Sequence, residues 1–322
     1  MNPRNLIKLF YKINIIRFVF QTIKYHIKIG NYVNFNNQGK IIFTTSNITI
    51  RDYSEVVVVP NGELIVEDNV FIGKNVEIGA EQMRIGRNTS VQNNCILLGN
   101  ISIGKNCSFG PSIYVSSGFH YFRYRPELLI KDQDILANKE LGTAHNKITI
   151  EDDIWIGKNV VIVNNTTVGK GSVIGANSFI NKDVAPYSIV AGSPQKVIGM
   201  RLDFQNNIPG SLNGNLENHF PYFYSGFDYS LVSFNTHRFV TIIDNQVSVY
   251  IKNKLNQRFI TIILKNTGNN EVCFSNGEQR IPAYRGEQQL KFDISDSSSD
   301  KYVFEIEGNV TGLLVKRIYF ND

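Results

Sequence analysis

Aliphatic or aromatic residues recur every six positions through the middle of the chain. From Val66 they fall at Ile72 and Ile78, then after one seven-residue step at Ile85, Val91, Leu97, Ile103, Phe109 and Val115. A second run follows at Ile150, Ile156, Ile162, Val168, Ile174 and Ile180. Glycine often comes next, as in Ile72-Gly73, Ile103-Gly104, Ile156-Gly157 and Ile174-Gly175. Small or β-branched residues hold the fifth place: Val76, Thr89, Cys95, Cys107, Val160, Thr166, Ser172 and Ser178. A period of six matches neither a helix at about 3.6 nor a long strand at two. It predicts a solenoid of short strands joined by tight corners, one face per unit, with the aliphatic side chain pointing inward. Glycine, with Asn75, Asn88, Asn106 and Asn159, supplies the corner conformations. Residues 119–147, between the two runs, leave the coil as an excursion.

The two ends follow other patterns. In residues 1–30, Leu9, Ile13, Ile16, Phe20, Ile23 and Ile27 recur at three and four, which predicts an amphipathic helix flanked by Lys8, Lys12, Arg17, Lys24 and Lys28. Its longest uncharged run is far short of the roughly 20 apolar residues that span a bilayer, and no small-residue cleavage site follows, so neither a spanning helix nor secretion is expected. The helix either lies on an anionic leaflet as a peripheral contact or packs on the protein itself. Beyond Arg201 the six-residue register stops. A turn-rich connection, 203–232, leads to about seven short segments rich in β-branched and aromatic residues over 233–322, which read as an antiparallel β-sandwich. The aromatic approach, Phe220, Tyr222, Phe223, Tyr224, Phe227 and Tyr229, is either a sugar-stacking surface or, as favoured, a hydrophobic seam between domains.

The chain has 322 residues, 42% of them hydrophobic and 19% charged, which is globular composition for about two domains. Its net charge of +5 comes from the N-terminus: residues 1–51 hold eight Lys or Arg and no acid, so the remainder is net negative. Nothing there suits nucleic acid, which demands a basic face. Three cysteines without CxxC spacing argue against a disulfide scaffold or zinc site and for a reducing cytoplasm. No P-loop, dinucleotide fingerprint or metal-ligand cluster accompanies these motifs, so no metal is expected.

The densest stretches, Ile150-Glu151-Asp152-Asp153-Ile154-Trp155-Ile156-Gly157 and Val173 to Ile198 with its Ala191-Gly192-Ser193-Pro194 ending, resemble the hexapeptide-repeat acyltransferases, in particular the maltose and galactoside O-acetyltransferase branch. The resemblance covers about residues 60–200. It implies an all-β fold: a left-handed parallel β-helix, here over 31–202. It also implies a homotrimer with sites shared between chains, acetyl-CoA as donor and a histidine general base. Such a base removes the hydroxyl proton as the acceptor attacks the thioester.

From composition alone His120 and His145, at the two ends of the excursion, are equal candidates. Position in the family motif selects His120 as the base and leaves His145 on the acceptor side or structural. The resemblance further places Trp155 beside the histidine, with a trimer contact as its other reading, and turns the backbone N–H of Lys158 toward the thioester oxygen. Asn94 is either an acceptor contact or a corner asparagine. Ala176 and Asn181 would present backbone groups to pantetheine, while Lys182 and Lys196 would meet phosphates or are ordinary solvated lysines. Gly199 stands where a family arginine often sits, with Arg201 two places later. The expected function is acetyl-CoA-dependent O-acetylation of a sugar hydroxyl on a cell-surface polysaccharide, in the cytoplasm near the inner membrane face. The alternatives are N-acetylation of a nucleotide-linked amino sugar and a non-catalytic glycan-binding scaffold.

Overall fold

The computed structural model describes residues 27–44, 47–141, 146–201, 223–227, 240–250, 258–268, 271–295 and 301–321. The chain divides into two compact units between Arg201 and Leu202. In the first unit, short parallel strands stack into a three-faced β-helix. One face carries Lys28–Ile29, Thr49–Ile50, Phe71–Ile72, Ser90–Val91, Ser108–Phe109, Trp155–Ile156, Val173–Ile174 and Ser188–Ala191 in successive coils, and the antiparallel strand Lys196–Met200 closes it. Of the segment expected to be helical, residues 1–26 lie outside the described residues. Lys28–Ile29 already pair with Thr49–Ile50, so the first coil begins inside that segment.

The six-residue aliphatics form the interior: Ile72, Ile78, Val91, Leu97, Phe109, Ile156, Ile162 and Ile174 are all at most 1% exposed. Each lies over its equivalent in the neighbouring coil, as Val91 pairs with Ile72 and Phe109, and Ile162 with Val115 and Ile180. Stacking of this kind removes apolar surface from water at about 25 cal/mol per Å². The fifth-position residues are buried too, and their polar atoms reach into the next coil. Thr89 Oγ1 donates to the Gly104 carbonyl at 2.9 Å, and the Cys95 and Cys107 thiols donate to the Gly110 and Glu151 carbonyls at 3.2 and 3.1 Å. Asparagines turn the corners: Asn75, Asn94, Asn159 and Asn177 have φ between 52° and 60°, a region where asparagine is enriched. Their amides form ladders along the edge, Asn75 donating to Asn94 and Asn159 to Asn177.

Irregularities in the period are irregularities in the coil. Val91 to Phe109 is one coil of 18 residues, whereas Phe109 to Ile156 takes 47, leaving 29 for the excursion. At the corner between the second and third faces, Val58, Ala80 and Gly99 pair across coils, and so do Glu63, Gln82 and Asn100. Four residues therefore fill that corner in one coil, Glu81 alone in the next, and none in the third. Glu81 is the residue that lengthens the Ile78–Ile85 step to seven.

The second unit is an antiparallel sandwich. One sheet orders Phe223–Ser225, Gln246–Tyr250, Lys301–Glu307, Val272–Ser275 and Arg280–Ala283; the other orders Val240–Thr241, Leu313–Asn321, Phe259–Asn266 and Gly286–Asp293. Alternation along Lys301–Glu307 buries Tyr302, Phe304 and Ile306 and exposes their neighbours. Phe304 meets Phe292 of the other sheet with ring centroids 4.9 Å apart. The sandwich takes in more chain than its sequence suggested. Phe223–Ser225, assigned above to the connection, is its edge strand, and Phe227 is 3% exposed in its core, bridged to Ile242. Phe227 thus belongs to the sandwich interior.

Candidate active site

His120 stands where the chain leaves the second face, four residues after Ser116, which pairs with Leu98 and Val163. The excursion then turns through 125–128 into the helix Ile130–Leu141, the one helix among the described residues. That helix docks with a polar residue. Gln133 is buried and accepts from the Arg125 N–H at 3.2 Å while donating to the Leu128 carbonyl at 3.0 Å, which fixes the turn; Ala137, one helical turn on, is also buried.

Docking in this way sets Asp134 against the other end of the excursion. Its Oδ2 lies 2.7 Å from His120 Nδ1, and its Oδ1 accepts the Tyr121 N–H at 2.7 Å. The hydrogen bond from His120, with the Tyr121 amide second, holds the Asp134 carboxyl below the usual carboxylate range. The histidine side chain is 78% exposed against 23% for the aspartate, so the ring is anchored at Nδ1 and open at Nε2. A ring anchored this way leaves its second nitrogen open to an acceptor, the geometry that a general base needs. Beside it opens a cavity of about 240 Å³ lined by Glu81, Ser117, Phe119, Tyr121, Asn138 and Asn146 with His120 and Asp134. Phe119 and Tyr121 pack edge to face, centroids 5.1 Å apart. Ser117, 6% exposed, accepts the Asn100 N–H on its Oγ at 2.8 Å, fixing the cavity wall to the preceding coil.

The other sequence candidates are divided between two edges of the prism. Asn94, Lys158 and Ala176 follow strands of the first face, on the edge leading to the second, and none lines the His120 cavity. Asn94 has φ 60° and accepts from Asn75, which is the corner geometry. Trp155 is 60% exposed on the first face between Ser108 and Val173. Asn181 and Lys182 lie on His120's own edge, following the strand Phe179–Ile180 two coils beyond Tyr114–Ser116. Their backbone N–H groups both donate to Gln195 Oε1, at 2.9 and 3.2 Å, so of the Asn181 backbone groups the N–H is engaged within the chain. Lys196 is exposed on the closing strand. Arg201 Nη1 donates to Asp153 and to the Gly171 carbonyl, which ties down the end of the unit. His145 lies outside the described residues.

Asp134 was not legible beforehand, because it lies fourteen positions from His120 within an excursion that has no period. Glu81 had left a trace, the seven-residue step.

Residues 147–182 match the family model for bacterial transferase hexapeptide (six repeats), and residues 63–98 match that for the hexapeptide repeat of succinyl-transferase. These two segments of the β-helix therefore carry hexapeptide repeats of the kind found in those transferases. The chain is 32% identical over 118 residues to a galactoside O-acetyltransferase of Escherichia coli K12, covering 36% of this chain and 53% of that one. It is 30% identical over 125 residues to the galactoside O-acetyltransferase of Lactococcus lactis, covering 38% and 52%. A solved hexapeptide-repeat acetyltransferase from Vibrio cholerae, complexed with acetyl coenzyme A, aligns at 30% identity over 44% of this chain and 72% of that chain with a TM-score of 0.36. The chain spans between about a quarter and about half of the curated relatives it matches.

Proposed function

We propose that this protein is an acetyl-CoA-dependent O-acetyltransferase that modifies a sugar hydroxyl of a cell-surface polysaccharide or its lipid-linked precursor, with His120 as general base. The observation that carries the reading is the 2.7 Å contact between His120 Nδ1 and Asp134 beside an open cavity, on a scaffold of hexapeptide repeats. Galactoside O-acetyltransferases among the relatives support an acetyl group as what is transferred and a sugar hydroxyl as its acceptor.

In the proposed reaction the acceptor oxygen attacks the thioester carbonyl, forming the new C–O bond, while His120 Nε2 takes its proton. Asp134 holds the ring and balances the imidazolium that forms. The negative charge on the former carbonyl oxygen is met by backbone N–H donors, of which that of Lys158 is the candidate. Collapse breaks the C–S bond, and the departing thiolate takes the proton back from His120. Because His120 and Lys158 sit on different edges of one prism, the proposed site uses two copies of the chain, and the exposed Trp155 is an apolar group for such a contact. A homotrimer with the donor lying between neighbouring prisms fits this division.

We place the reaction in the cytoplasm, beside the membrane. The three thiols are free, as suits a reducing compartment, and residues 1–51 carry eight cationic side chains without an acid, as suits an anionic leaflet. No helix among the described residues is long and apolar enough to cross a membrane.

The test is mass spectrometry of candidate polysaccharides after incubation with acetyl-CoA, comparing the intact protein with His120→Ala. The variant should lose about 10²–10⁴ in turnover while keeping its oligomeric state. Near-normal turnover would remove His120 from the role.

A further inference from the structure

We infer that Glu81, displaced into the His120 cavity by a one-residue bulge, is a specificity residue that selects an acceptor sugar without negative charge. This inference rests on the assignment of that cavity as the acceptor site.

Three observations carry it. First, Glu81 is the single unmatched residue where Ala80 pairs with Gly99 and Gln82 with Asn100. The next coil makes the same corner with no extra residue, so the β-helix closes without it. Bulges re-aim a side chain and often lie next to active sites. Second, two acidic residues line the cavity, Glu81 and Asp134, and neither a lysine nor an arginine does among the described residues. Third, the charge of Asp134 is already answered by His120 and the Tyr121 N–H. Glu81, the other acidic lining residue, has no such partner among the described residues.

A carboxylate in that place accepts hydrogen bonds from sugar hydroxyls, which the amides of Asn138 and Asn146 complement, and Phe119 and Tyr121 offer apolar faces to a pyranose ring. A carboxylated sugar brings a further negative charge into the same cavity, with no lysine or arginine among the described lining residues to receive it. Discrimination of this kind comes from an unfavourable contact with the wrong ligand as much as from favourable ones with the right ligand. The inference therefore separates neutral glycans from polyanionic ones such as uronate or sialate polymers.

The test measures binding rather than turnover, so it does not depend on transfer occurring. Methyl glucoside and methyl galactoside are compared with their C6-carboxylate counterparts by ligand-observed NMR on the full chain at pH 7.5. The neutral member of each pair should bind about tenfold more tightly, the worth of one like-charge contact at partly solvated range. Glu81→Gln should bring each ratio close to one. Deleting Glu81, which makes the coil regular, should do the same with the thermal transition retained. Equal binding of neutral and carboxylated members by the intact chain, a ratio unchanged in Glu81→Gln, or no binding of either neutral glycoside would each overturn the inference. If the ratio behaves as stated but no acetyl transfer is found with any glycan, the binding site stands and the transferase reading falls.

Discussion

Gly99 combines a positive φ with a close neighbour in the cavity wall, and Gly99→Ala tests how tightly that wall is built. Its φ is +98°, and a Cβ placed there would come 2.2 Å from Ser117 Oγ and 3.4 Å from Ser117 Cβ. Two separate costs follow. An alanine held in that backbone region costs about 1–3 kcal/mol. The serine hydroxyl must also swing away, and the Asn100 N–H it accepts is then left without its partner, a further cost of about 1–3 kcal/mol. The substitution should therefore destabilise the β-helix by about 2–6 kcal/mol in urea denaturation followed by far-UV circular dichroism. Because only Oγ clashes, Gly99→Ala in a Ser117→Ala background should cost the backbone term alone, so the pair should be non-additive. A penalty within about 0.5 kcal/mol of zero, or one equally large in both backgrounds, would refute the reasoning.

Two further outcomes follow from the titrating groups. Burial pushes the Cys107 thiol up to about 12 and raises that of Cys95, so iodoacetamide at pH 8 should leave both unlabelled in native protein and label both after denaturation; peptide mass spectrometry reads this, and native labelling of Cys107 would contradict its place in the coil. The Asp134 carboxyl should titrate below its ordinary 3.8 in carbon-detected NMR and move upward in His120→Ala, because the hydrogen bond from His120 is the main cause of the depression. Its contribution to the fold of the excursion is then present above the ordinary carboxylate value and lost as pH falls through the lowered one. A midpoint at or above 3.8, or one unmoved in the variant, would remove the dyad.

Much of the architecture could be read from spacing. Ile156, Ile162 and Ile174 recur at six or multiples of it because each coil repeats the same inward geometry, and one repeat says how the next must sit. The thiols at Cys95 and Cys107 were legible as small interior residues for the same reason. Lys301–Glu307 and Phe259–Asn266 announced themselves by alternation and β-branched content. Arg280–Ala283 did not, since Arg280 and Pro282 mask a four-residue edge strand. Phe223–Ser225 was hidden among aromatics that carry no period.

The site divides along the same line. His120 was set apart from His145 by the family resemblance, and the seven-residue step marked a disturbance at Glu81 without saying what it faced. The sequence alone thus determined the β-helical core, the sandwich and the extent of the excursion, because stacked repeats and alternating strands are local patterns. Only the tertiary structure decided that Asp134 meets His120, that Glu81 shares their cavity, and that Asn94 and Lys158 lie on a different edge. Those relations depend on how an irregular loop docks and on which corner of a prism each residue occupies. Neither quantity has a period that a linear pattern could carry.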